Sequence, residues 1–349
     1  GRARIATDKC VNCGLCMKNC PYTSIVKLPV PCEEACPVGA ISKGEDGVER
    51  IDEAKCILCG KCLKECPFGA VVELSDIVGL ALDLAAKKPL AALVAPAVAV
   101  QFPGGWGKLE AGLRKLGFAA IVEVAKGAEG TARDEAAELA ERRAEGKGFL
   151  ATSCCPSWVE ALHRHLGPIE EHLSSTPSPL AYAARIAAEQ YPGCGRVFLG
   201  PCVAKRGEAR RLPLVDRVVT AEELGALFVA ADIDLGALEP LETAAPAARK
   251  ARGFASSGGV AAAVLAAGGS GGSGAAAPRT LAVNGITKQG MKLMETWAAR
   301  PPEADLVEVM ACEGGCVGGP CVIATPRLAQ IELAKFVAAG ADREAGEKK

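Results

Sequence analysis

The sequence predicts an α/β protein in two parts: a small cysteine-bound module over residues 1–75 and a larger domain of strands and helices over 76–349. Three observations lead there. Ten of the 17 cysteines fall between Cys10 and Cys66. From Ser75 onward, Ala/Leu/Val-rich stretches of helical period alternate with short apolar runs of strand length. At 349 residues, half of them hydrophobic, the chain can bury a substantial core.

Charge removes several function classes. With 40 basic against 41 acidic residues the net charge is −1, no footprint for nucleic acid or for an anionic membrane surface. The N-terminal GRARIATDKC has no apolar core of a signal peptide, and PLAALVAPAVAV at 89–100 is too short and proline-broken to span a bilayer. The expectation is a soluble, cytoplasmic protein that binds neither membrane nor nucleic acid. In that compartment closely spaced cysteines serve as metal ligands, and with only three histidines iron–sulfur leads and zinc follows.

The module comes first in the chain. DKCVNCGLCMKNCP spaces Cys10, Cys13, Cys16 and Cys20 as C-x2-C-x2-C-x3-C-P, and AKCILCGKCLKECP repeats the spacing at Cys56, Cys59, Cys62 and Cys66. This is the ferredoxin run, in which three cysteines of one run and the last of the other hold each of two four-iron four-sulfur clusters. Cys10, Cys13 and Cys16 then pair with Cys66. The inserted VPCEEACPVGAI adds Cys32 and Cys36, so Cys56, Cys59 and Cys62 take either Cys20 or Cys36 as fourth ligand. Two cysteines are left over, too few for a third all-cysteine cluster. A module this small needs metal for its stability. Two neighbouring clusters relay electrons, and Lys9, Lys18, Lys61 and Lys64 around them suit an acidic carrier.

In the larger domain SDIVGLALDLAAK and ARDEAAELAERRAEG have helical spacing, while PLAALVAPAVAV, GFLATS, GRVFLGP and LVEVMA have strand length. AAGGSGGSGAAAP, 266–278, has the composition of a flexible linker. The cysteine motifs follow the strands, where parallel α/β sheets present their sites. Adjacent Cys154 and Cys155 follow GFLATS, Cys202 follows GRVFL, and Cys312 and Cys316 follow LVEVM. Neighbouring side chains on an extended chain point opposite ways, so one of Cys154 and Cys155 joins the other three. Four thiolates are the count for another cubane, with a spare thiol beside it. Glycines around Cys316 admit a bulky cofactor close to the backbone. Glu135 and Glu138, three apart, share a helical face.

TSCCPSW, PCVAK and EVMACEGGC resemble the three signature loops of the iron-only (FeFe) hydrogenases, in that family's order and with ferredoxin-type runs upstream. VAPAVAV, DEAAEL, LSSTPS and FASSGGV resemble further family segments, so the likeness covers roughly residues 8–335. It implies a two-lobed α/β domain holding an H-cluster: a cubane on Cys155, Cys202, Cys312 and Cys316, with Cys316 bridging to a two-iron subsite that carries carbon monoxide, cyanide and an azadithiolate amine. Cys154 would then pass protons to the amine, fed from solvent through Arg142, Glu138, Ser174 and Glu135. Lys205 matches the lysine that binds one cyanide, Ala95 and Pro96 match backbone contacts near the other, and Met310, Phe254 and Ser178 match residues around the cluster.

The resemblance implies reversible interconversion of protons and electrons with dihydrogen, electron exchange with ferredoxin, dedicated maturases for the two-iron subsite, and a monomer. Gly200, Ala97, GGPC at 318–321 and GGVAAAV depart from the best-known members and resemble the monomeric branch often called group B. Two rivals are a cluster carrier without the two-iron subsite and a hydrogen sensor. A carrier has no need of Cys154, Lys205 or the glutamate pair, and sensors usually carry a signalling domain and alter the proton-donating cysteine.

Overall fold

The computed structural model describes residues 4–6, 9–11, 13–26, 29–242, 245–268 and 276–342. Most of the linker-like stretch, 269–275, lies outside them.

The N-terminal module is built from short elements. Its helices are Leu15–Lys18, Pro31–Ala35 and Lys61–Glu65, and strands β1 (Ile41–Lys43) and β2 (Glu49–Ile51) form an antiparallel hairpin with Ile41 opposite Ile51. Pro31, with its φ pre-set for a helix, opens the turn that carries Cys32 inward. The core here is minimal: Cys32, Cys36, Ala40 and Ile41, with Cys56 and Cys62 packed against them. Cysteines supply much of it, as a metal-dependent module requires.

Two parallel sheets follow. The first has the order β4–β3–β6–β7, from β3 (Leu90–Val94), β4 (Ala120–Glu123), β6 (Gly195–Leu199) and β7 (Arg217–Val219). The second has the order β5–β9–β8, from β5 (Leu150–Ala151), β8 (Thr280–Asn284) and β9 (Leu306–Met310). The central strands β3 and β9 are buried at every position and apolar at all but Glu308, the pattern of parallel strands covered on both faces. GFLATS forms only the two residues of β5, because Ser153 onward turns away to the site.

The helix Val124–Glu145 crosses the helix Pro179–Gln190 at close range. A Cβ on Gly127 would lie 2.2 Å from the Pro179 carbonyl oxygen, so glycine is required there. That contact brings Glu135 and Glu138 up to the loop 173–178. No helix among the described residues is long and apolar enough to cross a membrane.

Candidate active site

The strands of both sheets end at one crevice. β3 leads into Ala95 and Pro96, β5 into Cys154 and Cys155, β6 into Cys202, and β9 into Cys312 and Cys316. Cys155 is the N-cap of the helix Pro156–His165, with Pro156 at its first turn. Lys205 stands on the helix Ala204–Arg210 directly behind Cys202.

One largely apolar cavity collects Cys154, Cys155, Cys202, Cys312, Cys316 and Lys205, and Ala95, Pro96, Phe254 and Met310 complete its wall. Ser178 is not on that wall. It follows the chain into the helix Pro179–Gln190, and its hydroxyl donates to Glu208, whose other oxygen takes Lys205 Nζ at 2.6 Å. Lys205 also donates to the Cys154 carbonyl at 3.3 Å. Burial disfavours its ammonium, but the Glu208 charge and hydrogen bond outweigh that and hold its pKa above the ordinary lysine value. Glu208 escaped the sequence reasoning, although its place three residues after Lys205 signalled it.

The donor set fits an iron–sulfur cluster. Burial pushes the Cys202 thiol up to about 11 and Cys316 up to about 12, and lifts Cys312 well above the ordinary thiol. Cys312 also feels the charges of Cys202, Cys155 and Cys316, Cys316 those of Cys202 and Cys155, and Cys202 that of Cys155. Four thiolates can share so dry a space only with cationic iron to compensate them. Among the described residues no three Cys, His, Asp or Glu groups close on a single-ion site. The thiols line the cavity walls.

Cys154, 9% exposed, packs with Met310 and Phe254 instead of facing solvent. Its thiol pKa is raised by burial, then by the Glu135 charge. Glu135 is fully buried. Its Oε1 accepts from Ser153 N at 3.0 Å and from Ser153 Oγ at 3.4 Å, while Oε2 has no partner. Glu138 Oε2 accepts from Ser174 Oγ at 2.6 Å and Thr176 Oγ1 at 3.3 Å, and its Oε1 from Ser175 N at 3.2 Å. The Ser174 hydroxyl, which donates to Glu138, also favours the ionised form of Glu135. One turn further on, Arg142 donates to the carbonyls of Glu171 at 3.1 Å and Lys147 at 3.2 Å, with His172 Nδ1 at 3.2 Å. Ser153, Thr176 and His172 are additions to the residues singled out in the sequence.

Burial, with the Glu138 charge behind it, raises Glu135 to about 7 against Ser153's opposing hydrogen bonds. A carboxyl whose native pKa exceeds its unfolded value near 4.5 takes up a proton on folding. Its stabilisation is complete below that unfolded value and is lost as pH rises through about 7. Glu135→Gln is therefore expected to flatten the fall in thermal midpoint between about pH 5 and 8, a difference of roughly 3 kcal/mol. An unchanged pH slope would remove the buried-carboxyl assignment.

A second buried carboxylate also escaped the sequence reasoning. Glu308, on β9, accepts from Gly258 N at 2.7 Å and Ala261 N at 2.9 Å, and burial raises its pKa against those bonds. It ties the strand that carries Met310 and leads to Cys312 to the loop after Phe254.

In the N-terminal module Cys36 packs against Cys56 and Cys62, and its charge reaches Cys56, Cys59 and Cys62. Cys20 lies outside, its Sγ 3.2 Å from Ser24 Oγ, and a hydrogen bond from Ser24 lowers its thiol to about 7. Cys10, Cys13 and Cys16 are exposed, and the thiol that feels Cys66 is Cys32, turned inward by the helix Pro31–Ala35. Lys61, expected to face a carrier, instead donates to the Ile286 carbonyl at 2.6 Å. Cys59 borders the same cavity as Cys312, and its charge reaches that thiol.

Comparison with known proteins agrees. Residues 88–320 match the family model of the iron-only hydrogenase large subunit, C-terminal domain, with a 4Fe-4S dicluster domain over 31–70 and a 4Fe-4S binding domain over 3–26. Iron hydrogenase 1 of Clostridium pasteurianum is 28% identical over 257 residues, 61% of this chain and 45% of that protein. The NADP-reducing hydrogenase subunit HndD of Solidesulfovibrio fructosivorans is 27% identical over 262 residues, again 61% and 45%. The chain thus spans about half the length of these curated relatives. An apo FeFe-hydrogenase structure from Chlamydomonas reinhardtii superposes with a TM-score of 0.63 at 25% identity, covering 78% of this chain and 91% of that one. Since the family model takes in both parallel sheets and the five strand-end cysteines of the crevice, the chain belongs to the iron-only hydrogenases, carrying the C-terminal domain of the large subunit behind N-terminal 4Fe-4S domains.

Proposed function

We propose that this chain catalyses the reversible conversion of two protons and two electrons to dihydrogen at an H-cluster in the crevice. The observation that carries the proposal is the cavity itself, in which four half-buried thiols, the buried thiol of Cys154 and a lysine ammonium meet. Cys155, Cys202, Cys312 and Cys316 would hold the cubane, Cys316 also reaching the two-iron subsite. When bound, that subsite supplies an open iron position and a basic amine for heterolytic chemistry on hydrogen.

The chain's residues have the remaining work. Lys205, fixed by Glu208 at 2.6 Å, presents a charged donor to a cyanide ligand. Met310 and Phe254 exclude water. Cys154 Sγ exchanges its proton with the cofactor side and is reloaded from Glu135, whose value of about 7 suits exchange at neutral pH. Ser174 and Glu138 continue the path, and Arg142 stands at its outer end.

The inner N-terminal cluster would sit on Cys36, Cys56, Cys59 and Cys62. Cys36→Ser is expected to lower bound iron by about four atoms per chain, and Cys20→Ser to leave that cluster in place. The reverse outcome would restore Cys20 as the fourth ligand. We assign electron exchange to a ferredoxin-type carrier, assembly of the two-iron subsite to maturases, the working form to a monomer and its location to the cytoplasm. The function is tested by reconstituting the cubanes, adding a synthetic two-iron precursor and measuring hydrogen from reduced viologen. Hydrogen production is expected; none from fully loaded protein favours the cluster-carrier reading.

A further inference from the structure

We propose that the helix Pro156–His165 is a strut that fixes the spacing between the inner N-terminal cluster and the cubane of the crevice, with Arg164 and His165 as its positioning residues. The inference rests on the hydrogenase reading only for where the two clusters sit.

Ten residues make the helix, a span of about 15 Å. Its first end is capped by Cys155, a thiol of the crevice. Its last turn reaches the other module. Arg164 Nη1 donates to the Cys56 carbonyl at 2.7 Å and to the Glu53 carbonyl, and His165 Nε2 meets the Lys55 carbonyl at 2.7 Å. One rigid element therefore carries a cubane ligand at one end and grips the backbone of an inner-cluster ligand at the other. All three acceptors are main-chain oxygens, so the grip defines where the loop lies, whatever its side chains.

Arg164 is itself braced. Its Nε donates to Glu160 Oε2 at 2.8 Å, and the other oxygen of that carboxylate, 5% exposed as a residue, takes Arg211 Nη1 at 2.7 Å. The far side of the cysteine run is pinned separately. Lys61 donates to the Ile286 carbonyl at 2.6 Å, and a Cβ on Gly60 would come within 2.6 Å of the Pro320 ring. The run is therefore held at its start and at its middle, which limits drift in distance and orientation.

Electron tunnelling falls off exponentially with the gap, which makes such bracing functional and not only structural. The step is balanced without a further reactant: one electron leaves the reduced inner cluster and the cubane gains it.

The test uses the full chain reconstituted with iron and sulfide, reduced, and examined by electron paramagnetic resonance for spin coupling between the two clusters. Arg164→Met fills the same space but donates nothing, so coupling is expected to weaken, and Arg164→Lys is expected to restore it in part. With the two-iron subsite installed, hydrogen production from a protein donor is expected to fall about tenfold in Arg164→Met. Hydrogen–deuterium exchange, which needs no electron from outside, is expected to stay at the wild-type rate. Wild-type coupling and production in Arg164→Met overturn the strut. If that variant fails to take up iron, Arg211→Met, which loosens Glu160 without touching the loop, decides: weakened coupling supports the proposal and unchanged coupling overturns it. Absence of isotope exchange in the wild type would sink the hydrogenase reading alone, because spin coupling is measured without the two-iron subsite.

Discussion

Cys154→Ala is expected to lower hydrogen turnover by about 10²- to 10⁴-fold, the usual worth of a positioned general acid, while the cubane keeps its iron. The thiol sits buried among Met310 and Phe254, and the charge of Glu135, which Ser153 holds, reaches it. Alanine leaves the fold intact, because the Cys154 carbonyl and not its side chain is what Lys205 holds. Cys154→Ser should retain little activity, since a hydroxyl is a far weaker acid than a thiol. Hydrogen released from reduced viologen measures both variants. Wild-type turnover in Cys154→Ala would assign proton delivery elsewhere.

Arg252→Ala is expected to cause the largest loss of stability, about 3–5 kcal/mol. Arg252 and Glu123 are 2% and 3% exposed and form a two-bonded pair, Nε to Oε2 at 2.8 Å and Nη2 to Oε1 at 2.8 Å. Arg252 also donates to the Phe336 carbonyl at 2.9 Å and lies over the Phe336 ring, 4.0 Å from its centroid. Glu123 ends β4 and Arg252 stands two residues before Phe254, so the pair ties the first sheet to a wall of the cavity. Removing the arginine strands a carboxylate in a dry core. Exchanging both partners for apolar residues, Glu123→Leu with Arg252→Met, is expected to lose far less, because no buried charge is left alone. Denaturant midpoints on the two variants separate these outcomes. Equal losses would mean that packing and not charge holds the junction.

These buried groups mark where sequence reasoning stops. The ligand loops are legible because thiolate spacing and strand-end position are local properties of the chain. The helix over Glu135 and Glu138 is legible because alanine, glutamate and arginine favour it. Glu123, Arg252 and Glu308 look like ordinary surface charges until the fold brings Ala247, Phe336 and Gly258 against them. The short strands β4 and β7 are too brief to stand out, and they exist because β3 and β6 offer them a buried edge. Cys20 and Cys36 each precede a proline, so the sequence leaves both open as fourth ligand; the packing of Cys36 against Cys56 and Cys62 is visible only in the fold.

The central claim is that the crevice holds a two-iron subsite beside its cubane. An infrared spectrum of the protein, taken after anaerobic reconstitution of the cubanes and addition of a synthetic two-iron precursor, tests it most directly. Sharp carbon monoxide and cyanide bands that shift under hydrogen are the expected result. Protein with intact cubanes and no such bands would contradict the claim.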